Sequence, residues 1–255
     1  MPWPVCLQMA TLGGGGDTAV QLYTPGPGAN NGGQVDFSPG AALEAAKVAL
    51  AGISHLDTIV IKGQDVSATG LADALKDLRS VKYLTMSFYL TFAADDADVV
   101  FPSLVRLYNG VFWADAKSLT FPALQSIDEK CGILGNGIDL TQKQLTAIRM
   151  PSLRYAQHLE IRAWAELVEV DFSSLVVTGG LQYGVKIGVN GALPKLETFK
   201  VSEDFVLARK EIKFSGVSKL TCAANAGLSK MLSECKSRSP DTWNSCTVSG
   251  APGDC

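Results

Sequence analysis

The chain has 255 residues, of which 47% are hydrophobic and 18% are charged, and its formal net charge is −3. This hydrophobic content excludes a disordered chain. The slightly acidic balance, without a run of basic residues, argues against nucleic-acid binding, which depends on clustered lysine and arginine. No stretch reaches the about 20 apolar residues that a membrane-spanning helix needs, so we predict no transmembrane segment.

The first predicted elements are an extended arm and a helix. Residues 1–37 are rich in glycine and proline, which favours looping or extended backbone. Residues 38–53 predict a capping helix, because Ser38 suits the N-cap, Pro39 suits the first turn, and strong helix formers run from Ala41 to Leu50. The first residues lack the charged and apolar regions of a secretory signal.

Residues 54–222 contain an internal repeat of four positions. They are an apolar residue, proline or serine, any residue, and leucine. The five copies are Phe101-Pro102-Ser103-Leu104, Phe121-Pro122-Ala123-Leu124, Met150-Pro151-Ser152-Leu153, Asp171-Phe172-Ser173-Ser174-Leu175 and Leu193-Pro194-Lys195-Leu196. Their apolar positions start 20, 29, 22 and 21 residues apart. This spacing is typical of leucine-rich-repeat-like coils with loops of variable length.

Each copy is followed by further positions that we expect to face inward. Three residues after the motif leucine lie Leu107, Ile127, Ala156, Thr178 and Phe199. Strict alternation along the next strand then predicts four inward pairs, Val111 and Trp113, Cys131 and Ile133, Leu159 and Ile161, and Leu181 and Tyr183. Only a neighbouring coil can cover such apolar ridges, so the chain is predicted to be a mainly β solenoid of short parallel strands.

Three Asn-Gly pairs lie near predicted strand ends, at Asn109-Gly110, Asn136-Gly137 and Asn190-Gly191. Because glycine after asparagine readily adopts positive φ, we interpret these pairs as tight corners.

Four of the six cysteines fall in the last 34 residues, at Cys222, Cys235, Cys246 and Cys255. The cysteines form no C-x-x-C pair and have no histidine nearby, which argues against a zinc site. We therefore predict disulfides, and all three ways of pairing the four tail cysteines stay open. Residues 223–255 are therefore expected to form a cysteine-rich cap with a helix at 223–236. Cys6 and Cys131 either pair with each other or are free. Disulfides place the protein outside the cell, on its surface or in an oxidising lumen.

The coils resemble the receptor L-domain-like repeats of fungal cell-wall proteins that carry a glycosylphosphatidylinositol anchor and, more distantly, the leucine-rich coils of microbial surface antigens. The resemblance is carried by Ser118-Leu119-Thr120-Phe121-Pro122-Ala123-Leu124-Gln125-Ser126-Ile127, by the copy at Met150, by Leu159-Glu160-Ile161, and by the stretch from Leu167 to Leu175. It implies a secreted or surface-displayed right-handed solenoid without catalysis. The hydrophobic anchor-signal tail of the family has no counterpart here.

Catalytic and metal-binding patterns are sparse. Only His55 and His158 offer an imidazole base, and no nucleophile elbow occurs, so we predict no enzyme and no cofactor. Asp95, Asp96 and Asp98 form a carboxylate run, which we interpret as a solvated loop with a calcium site as the alternative.

The remaining functional feature is the outer surface of the coils. We expect Phe112, Trp113, Arg162, Trp164 and Gln182 to contribute to a binding face, because aromatic and arginine side chains make good interface anchors. The first hypothesis is a binding or adhesion module for a protein or glycan partner. The second is a structural subunit of a large assembly, docked through the solenoid face and the N-terminal arm. A carbohydrate-active enzyme on a β-helix is the third.

Overall fold

The computed structural model describes residues 35–36, 41–62, 66–86, 92, 98–112, 116–133, 145–162, 164–179, 184–189, 192–206, 210–237 and 246–255. Over these residues the protein is mainly β. The strands are β1 (Val35–Asp36), β2 (His55–Lys62), β3 (Ser80–Met86), β4 (Asp98–Val100), β5 (Arg106–Phe112), β6 (Ser118–Thr120), β7 (Ser126–Ile133), β8 (Ala147–Arg149), β9 (Tyr155–Ala156), β10 (Leu159–Arg162), β11 (Glu169–Phe172), β12 (Val177–Thr178), β13 (Val185–Val189), β14 (Thr198–Val201), β15 (Lys210–Phe214) and β16 (Cys246–Ser249). The helices are α1 (Ala41–Leu50), α2 (Ala68–Ala74) and α3 (Ala226–Lys236).

The strands form two parallel sheets that the chain visits in turn. In the described residues, the larger sheet has the order β1-β2-β3-β5-β7-β10-β13-β15-β16, with β9 paired to β7 and β12 paired to β9. The smaller sheet has the order β14-β11-β8-β6-β4. Because every pairing is parallel, each turn of the chain stacks on the previous one, and the predicted β-solenoid is confirmed.

The repeat motif closes one corner of four successive turns. Strands β4, β6, β8 and β11 each lead directly into one of the first four motif copies, and their starts lie 20, 29 and 22 residues apart, as predicted. The next strand of this sheet, β14, starts 29 residues after β11 rather than the 21 that the sequence pattern gives.

The fifth motif copy, residues 193–196, lies at a different corner. It precedes β14 and closes the same kind of turn as residues 164–167 and 217–220, in which the last N–H donates to the first carbonyl at 3.1–3.2 Å. An inward apolar residue, a two-residue turn and an inward leucine can close either corner. The pattern therefore marks a corner of the solenoid without saying which one.

A bend in the larger sheet changes which residues face inward. In β5 the buried residues are Leu107, Gly110 and Phe112, so two consecutive residues at the bend face outward. The prediction that Val111 faces inward is wrong, because strict alternation does not continue through the bend. Asn109-Gly110 lies within β5, so its predicted role as a corner is wrong as well.

In β7 the bend contains three residues that are not buried, Asp128 to Lys130. Because three is odd, the residues after the bend face the sides that strict alternation predicts. Cys131, Leu159 and Ile161 are fully buried, as predicted. The side chain of Ile133 and residues 113, 181 and 183 lie outside the described part. The five positions after the motif leucine are all buried, although Phe199 belongs to the smaller sheet.

Aromatic side chains stack through the core along the solenoid axis. The rings of Phe101 and Phe121 are stacked with centroids 4.7 Å apart, and Phe112 meets Phe121 edge to face at 5.2 Å. Such pairs contribute about 0.5–1.5 kcal/mol beyond the burial of their area.

Helices replace smaller-sheet strands at both ends of the stack. Helix α1 contacts α2, α2 contacts β4, and α3 contacts β14, so the smaller face continues as helix beyond each terminal strand. A helix satisfies its own backbone hydrogen bonds and offers no open edge for pairing. The N-terminal capping helix and the C-terminal helix are thus confirmed.

Helix α2 is absent from the sequence prediction, although its signals are present. Ser67 caps it by accepting a hydrogen bond from the N–H of Gly70 at 3.1 Å. Ala68, Leu71 and Ala74 are buried at helical spacing.

Asn225 joins α3 to the exposed edge of β14. Its side-chain oxygen accepts from the N–H of Phe199 at 2.9 Å, and its amide donates to the carbonyl oxygens of Thr221 and Glu197 at 2.7 and 3.3 Å. The side chain thereby satisfies backbone groups that a further strand would otherwise pair. Gly227 permits this contact, because a Cβ there would lie 2.0 Å from the carbonyl oxygen of Val201.

Two disulfides fasten the C-terminal cap. Cys235 of α3 is bonded to Cys246 of β16, and Cys222 is bonded to Cys255, with Cα atoms 5.1 and 5.5 Å apart. Cys131 is buried and forms no disulfide with another described cysteine, and Cys6 lies outside the described residues. These disulfides indicate an oxidising, non-cytosolic environment.

None of the helices in the described residues is long and apolar enough to cross a membrane. The predicted arm, residues 1–37, lies outside the described part except for β1.

Candidate functional site

The structure corrects two of the predicted binding residues. Phe112 is 0% exposed and belongs to the aromatic core, because the bend in β5 turns it inward. Trp164 is 5% exposed, because it begins a corner whose first residue points inward. Arg162 does face outward and is partly exposed. Trp113 and Gln182 lie outside the described residues.

The bend of the larger sheet exposes two tyrosines that the sequence analysis did not select. Tyr83 is 42% exposed and Tyr108 is 40% exposed. Tyr83 is paired in register with Asn109, the residue after Tyr108, so the two tyrosines lie on neighbouring strands. Lys82 places its ammonium 5.5 Å from the centre of the Tyr83 ring. The signal in the sequence was the pair of consecutive non-core residues between Leu107 and Gly110, which strict alternation conceals.

An irregularity between β5 and β7 places two carboxylates beside Tyr108. Leu107 pairs with Ile127 whereas Asn109 pairs with Lys130, so β7 has two residues, Asp128 and Glu129, opposite Tyr108. Such a bulge redirects side chains out of the regular pleat.

Both carboxylates are tied to β5 on either side of Tyr108. The guanidinium Nε of Arg106 donates to Asp128, and the Asn109 amide donates to Glu129 at 3.2 Å. These two hydrogen bonds bracket the tyrosine and fix the polar groups around it. We name Tyr83, Tyr108, Asn109, Asp128 and Glu129 the tyrosine patch.

Next to this patch, Glu160 forms the centre of a charged network. It lies on the outward side of β10 yet is 8% exposed. Its carboxylate accepts from Arg162 Nε at 2.9 Å, lies 3.6 Å from Lys130 Nζ, and lies 3.5 Å from His158 Nε2. Because Lys130 follows the bulge, the network anchors one side of the tyrosine patch.

The network shifts the ionisation of its own members. The pKa of Glu160 is lowered: burial opposes ionisation, but the hydrogen bond from Arg162 and the charges of Lys130 and Arg162 outweigh it. The pKa of His158 is lowered, chiefly because burial disfavours the imidazolium. His158 Nδ1 donates to the carbonyl oxygen of Gly184 at 2.8 Å. The buried ring thus links the start of β10 to the start of β13.

A serine and a histidine do meet at the start of the larger sheet. His55 Nδ1 lies 2.5 Å from Ser80 Oγ. Among the described residues, no carboxylate is bonded to the His55 ring, and the N–H of Ser80 is already donated to the Ser54 carbonyl. A nucleophile needs an oriented base and an oxyanion donor, so this pair alone does not form a catalytic centre.

No metal centre emerges from the groups that the structure describes. Cys222, Asp254 and Cys255 lie close together, but both sulfurs are used in a disulfide. The Asp254 carboxylate accepts hydrogen bonds from the N–H groups of Ala223 and Cys222, which lower its pKa. Of the calcium candidates, Asp98 accepts from Ser118 at 2.6 Å, and Asp95 and Asp96 lie outside the described residues.

The chain matches no protein-family model, no curated protein and no solved structure. The resemblance to fungal cell-wall repeats therefore stays an expectation, and the function must be argued from the geometry.

Proposed function

We propose that this protein is a non-enzymatic binding module of the cell surface or extracellular space, presenting the bend of its larger sheet to a protein or glycan partner. The single observation that carries the proposal is the tyrosine patch. Two large aromatic side chains are exposed there beside polar groups that are already held in place.

Pre-ordered groups favour binding because little conformational freedom remains to be lost on association. Tyrosines supply contact area with few rotatable bonds and are enriched at the energetic centres of interfaces. The backbone beneath them belongs to three neighbouring strands of a parallel sheet, β3, β5 and β7. The patch therefore combines anchors with a stiff support.

The C-terminal cap supports the coarser part of the proposed location, which is an oxidising environment. Two disulfides persist in an oxidising environment and are rare in the cytosol. Display at a cell surface or release into the extracellular space is the finer part of the proposal.

A structural subunit of a large assembly is the second candidate. It is favoured by β16, which is paired on one side with β15 and on the other side with no strand among the described residues. An open strand edge can pair with a strand from another chain.

The test is a binding measurement with immobilised protein. Extracts of the source organism are divided into a protease-treated glycan fraction and a deglycosylated protein fraction, and both are applied to wild type, Tyr83→Ala, Tyr108→Ala and Val206→Ala. Val206 is 63% exposed and lies after β14, away from the patch, so it is the matched control.

We expect each tyrosine substitution to weaken binding about tenfold or more, and the control to leave it unchanged. Equal binding by all four proteins would reject the patch as the site. A protein complex of large, fixed stoichiometry that is insensitive to the tyrosines would favour the assembly subunit.

A further inference from the structure

The tyrosine patch has a charge balance that narrows its partner. Together with the neighbouring network, the charged groups around it are four positive and three negative: Lys82, Arg106, Lys130 and Arg162 against Asp128, Glu129 and Glu160. Arg106 and Asp128 are also paired directly. A surface on which the two signs nearly cancel and are paired exerts little long-range attraction on a polyanion or a polycation, whose binding depends on clustered charge of one sign. Such a surface favours an uncharged ligand.

The polar groups in and around the patch include both hydrogen-bond donors and hydrogen-bond acceptors. Asp128 and Glu129 only accept, Arg106 only donates, and Asn109 and the two tyrosine hydroxyls do both. A ligand that matches this set carries many groups that donate and accept at once. Hydroxyl groups have this property.

The two rings add a requirement for a flat apolar face. Tyr83 and Tyr108 lie on neighbouring strands, about 5–6 Å apart at their backbones by the spacing of a sheet. Aromatic faces bear partial negative charge and attract the weakly positive C–H groups of a ring lying on them. A pyranose presents such C–H faces and a rim of hydroxyl groups in one molecule.

A protein partner fits the patch less well. Interfaces between proteins also use tyrosine anchors, but their fully buried centre is more apolar than their rim, whereas the exposed valines of the described residues, Val48, Val168 and Val206, lie away from the patch. The patch itself has aromatic and polar groups but no exposed aliphatic side chain among its named members.

We propose that the tyrosine patch is a binding site for an uncharged oligosaccharide, with sugar rings stacked on Tyr83 and Tyr108 and hydroxyl groups bonded to Asn109, Asp128 and Glu129. This inference rests on the proposed binding function and names the class of ligand. No covalent bond is formed or broken on binding.

The probe is a set of defined oligosaccharides, comprising uncharged hexose, pentose and N-acetylhexosamine chains together with sulfated and uronic-acid chains. Affinities are measured by calorimetry or biosensor for wild type, Tyr108→Ala, Tyr108→Phe, Asp128→Asn and Val206→Ala. Urea unfolding of each variant establishes that it is folded.

We expect at least one uncharged chain to bind, with affinity reduced about tenfold or more by Tyr108→Ala, less by Tyr108→Phe, and not at all by Val206→Ala. Raising the salt concentration about tenfold should change this affinity by less than about twofold, because no net charge is neutralised.

Three outcomes would overturn the inference. They are binding of the acidic chains alone, binding that is indifferent to Tyr108, and no binding of any chain up to about 1 mM. If the same tyrosine substitutions abolish binding of the protein fraction described above, the binding function stands and the sugar is wrong. If they affect neither fraction, both proposals fail.

Discussion

Removal of the Cys222–Cys255 disulfide is predicted to destabilise the protein mainly through the unfolded chain. The bond joins residues 33 apart, and the Cys235–Cys246 bond joins residues 11 apart. In the chain-entropy description, closing loops of these lengths contributes about 3.7 and about 2.8 kcal/mol. Because the shorter loop lies within the longer one, reducing both bonds should cost about 6 kcal/mol rather than the full sum.

The assay is urea unfolding followed by circular dichroism, with and without a reductant, for wild type and for Cys222→Ala/Cys255→Ala. The variant should lose about 3–4 kcal/mol of unfolding free energy, or about 6–16 °C in thermal midpoint. Its remaining sensitivity to the reductant should match the shorter loop alone. A thiol count on the denatured protein checks the premise, since the count must rise by at least four when wild type is reduced.

A specific result would refute this reasoning. If the thiol count rises by at least four on reduction and the free energy of unfolding changes by less than about 1 kcal/mol, loop closure does not stabilise this cap. Cys131 serves as an internal control for the thiol count in the folded protein. It is buried and forms no disulfide with any described residue, and burial raises its pKa to about 12, which disfavours the reactive thiolate.

Three further predictions concern the core, the cap and the charged network. Phe121→Ala should lower the unfolding free energy by about 3–5 kcal/mol in urea titrations, whereas Val206→Ala at an exposed site should change it by less than about 0.5 kcal/mol; similar losses for the two would contradict the core assignment. Asn225→Ala should cost about 1–3 kcal/mol by the same assay, because the N–H of Phe199 loses its acceptor; a neutral effect would show that this edge finds another partner. The pKa of His158 in the folded protein is below 6.5, so just below that pH the unfolded chain binds more protons than the folded one. The free energy of unfolding should therefore fall as the pH drops through 6.5. If His158→Gln keeps the same pH profile from pH 7.5 to 5.5, the buried imidazole is not its source.

The solenoid could be predicted from the sequence because each corner is encoded by a few consecutive residues. An inward apolar residue, a two-residue turn and an inward leucine lie within four positions, so the corner can be recognised without knowing its neighbours. The capping helix α1 and the helical part of the C-terminal cap were visible for the same reason, since capping and helix-forming residues act within one turn. The four cysteines in the tail likewise indicated disulfides, although the spacing alone left the pairing open.

The tertiary structure decided which side of each strand faces the core. The bend in the larger sheet holds two residues in β5 and three in β7, and a change of one residue exchanges the inner and outer faces. Phe112 was placed outside and Tyr108 was missed for this reason.

The disulfide pairing and the network around Glu160 were also beyond the sequence. The disulfides join residues 33 and 11 positions apart. The network joins His158, Glu160 and Arg162 of one turn to Lys130 of the neighbouring turn, which the pairing of β10 with β7 brings close. The sequence by itself therefore determined that the chain coils and where it turns. The stacking of those turns decided which side chains meet on the outer face.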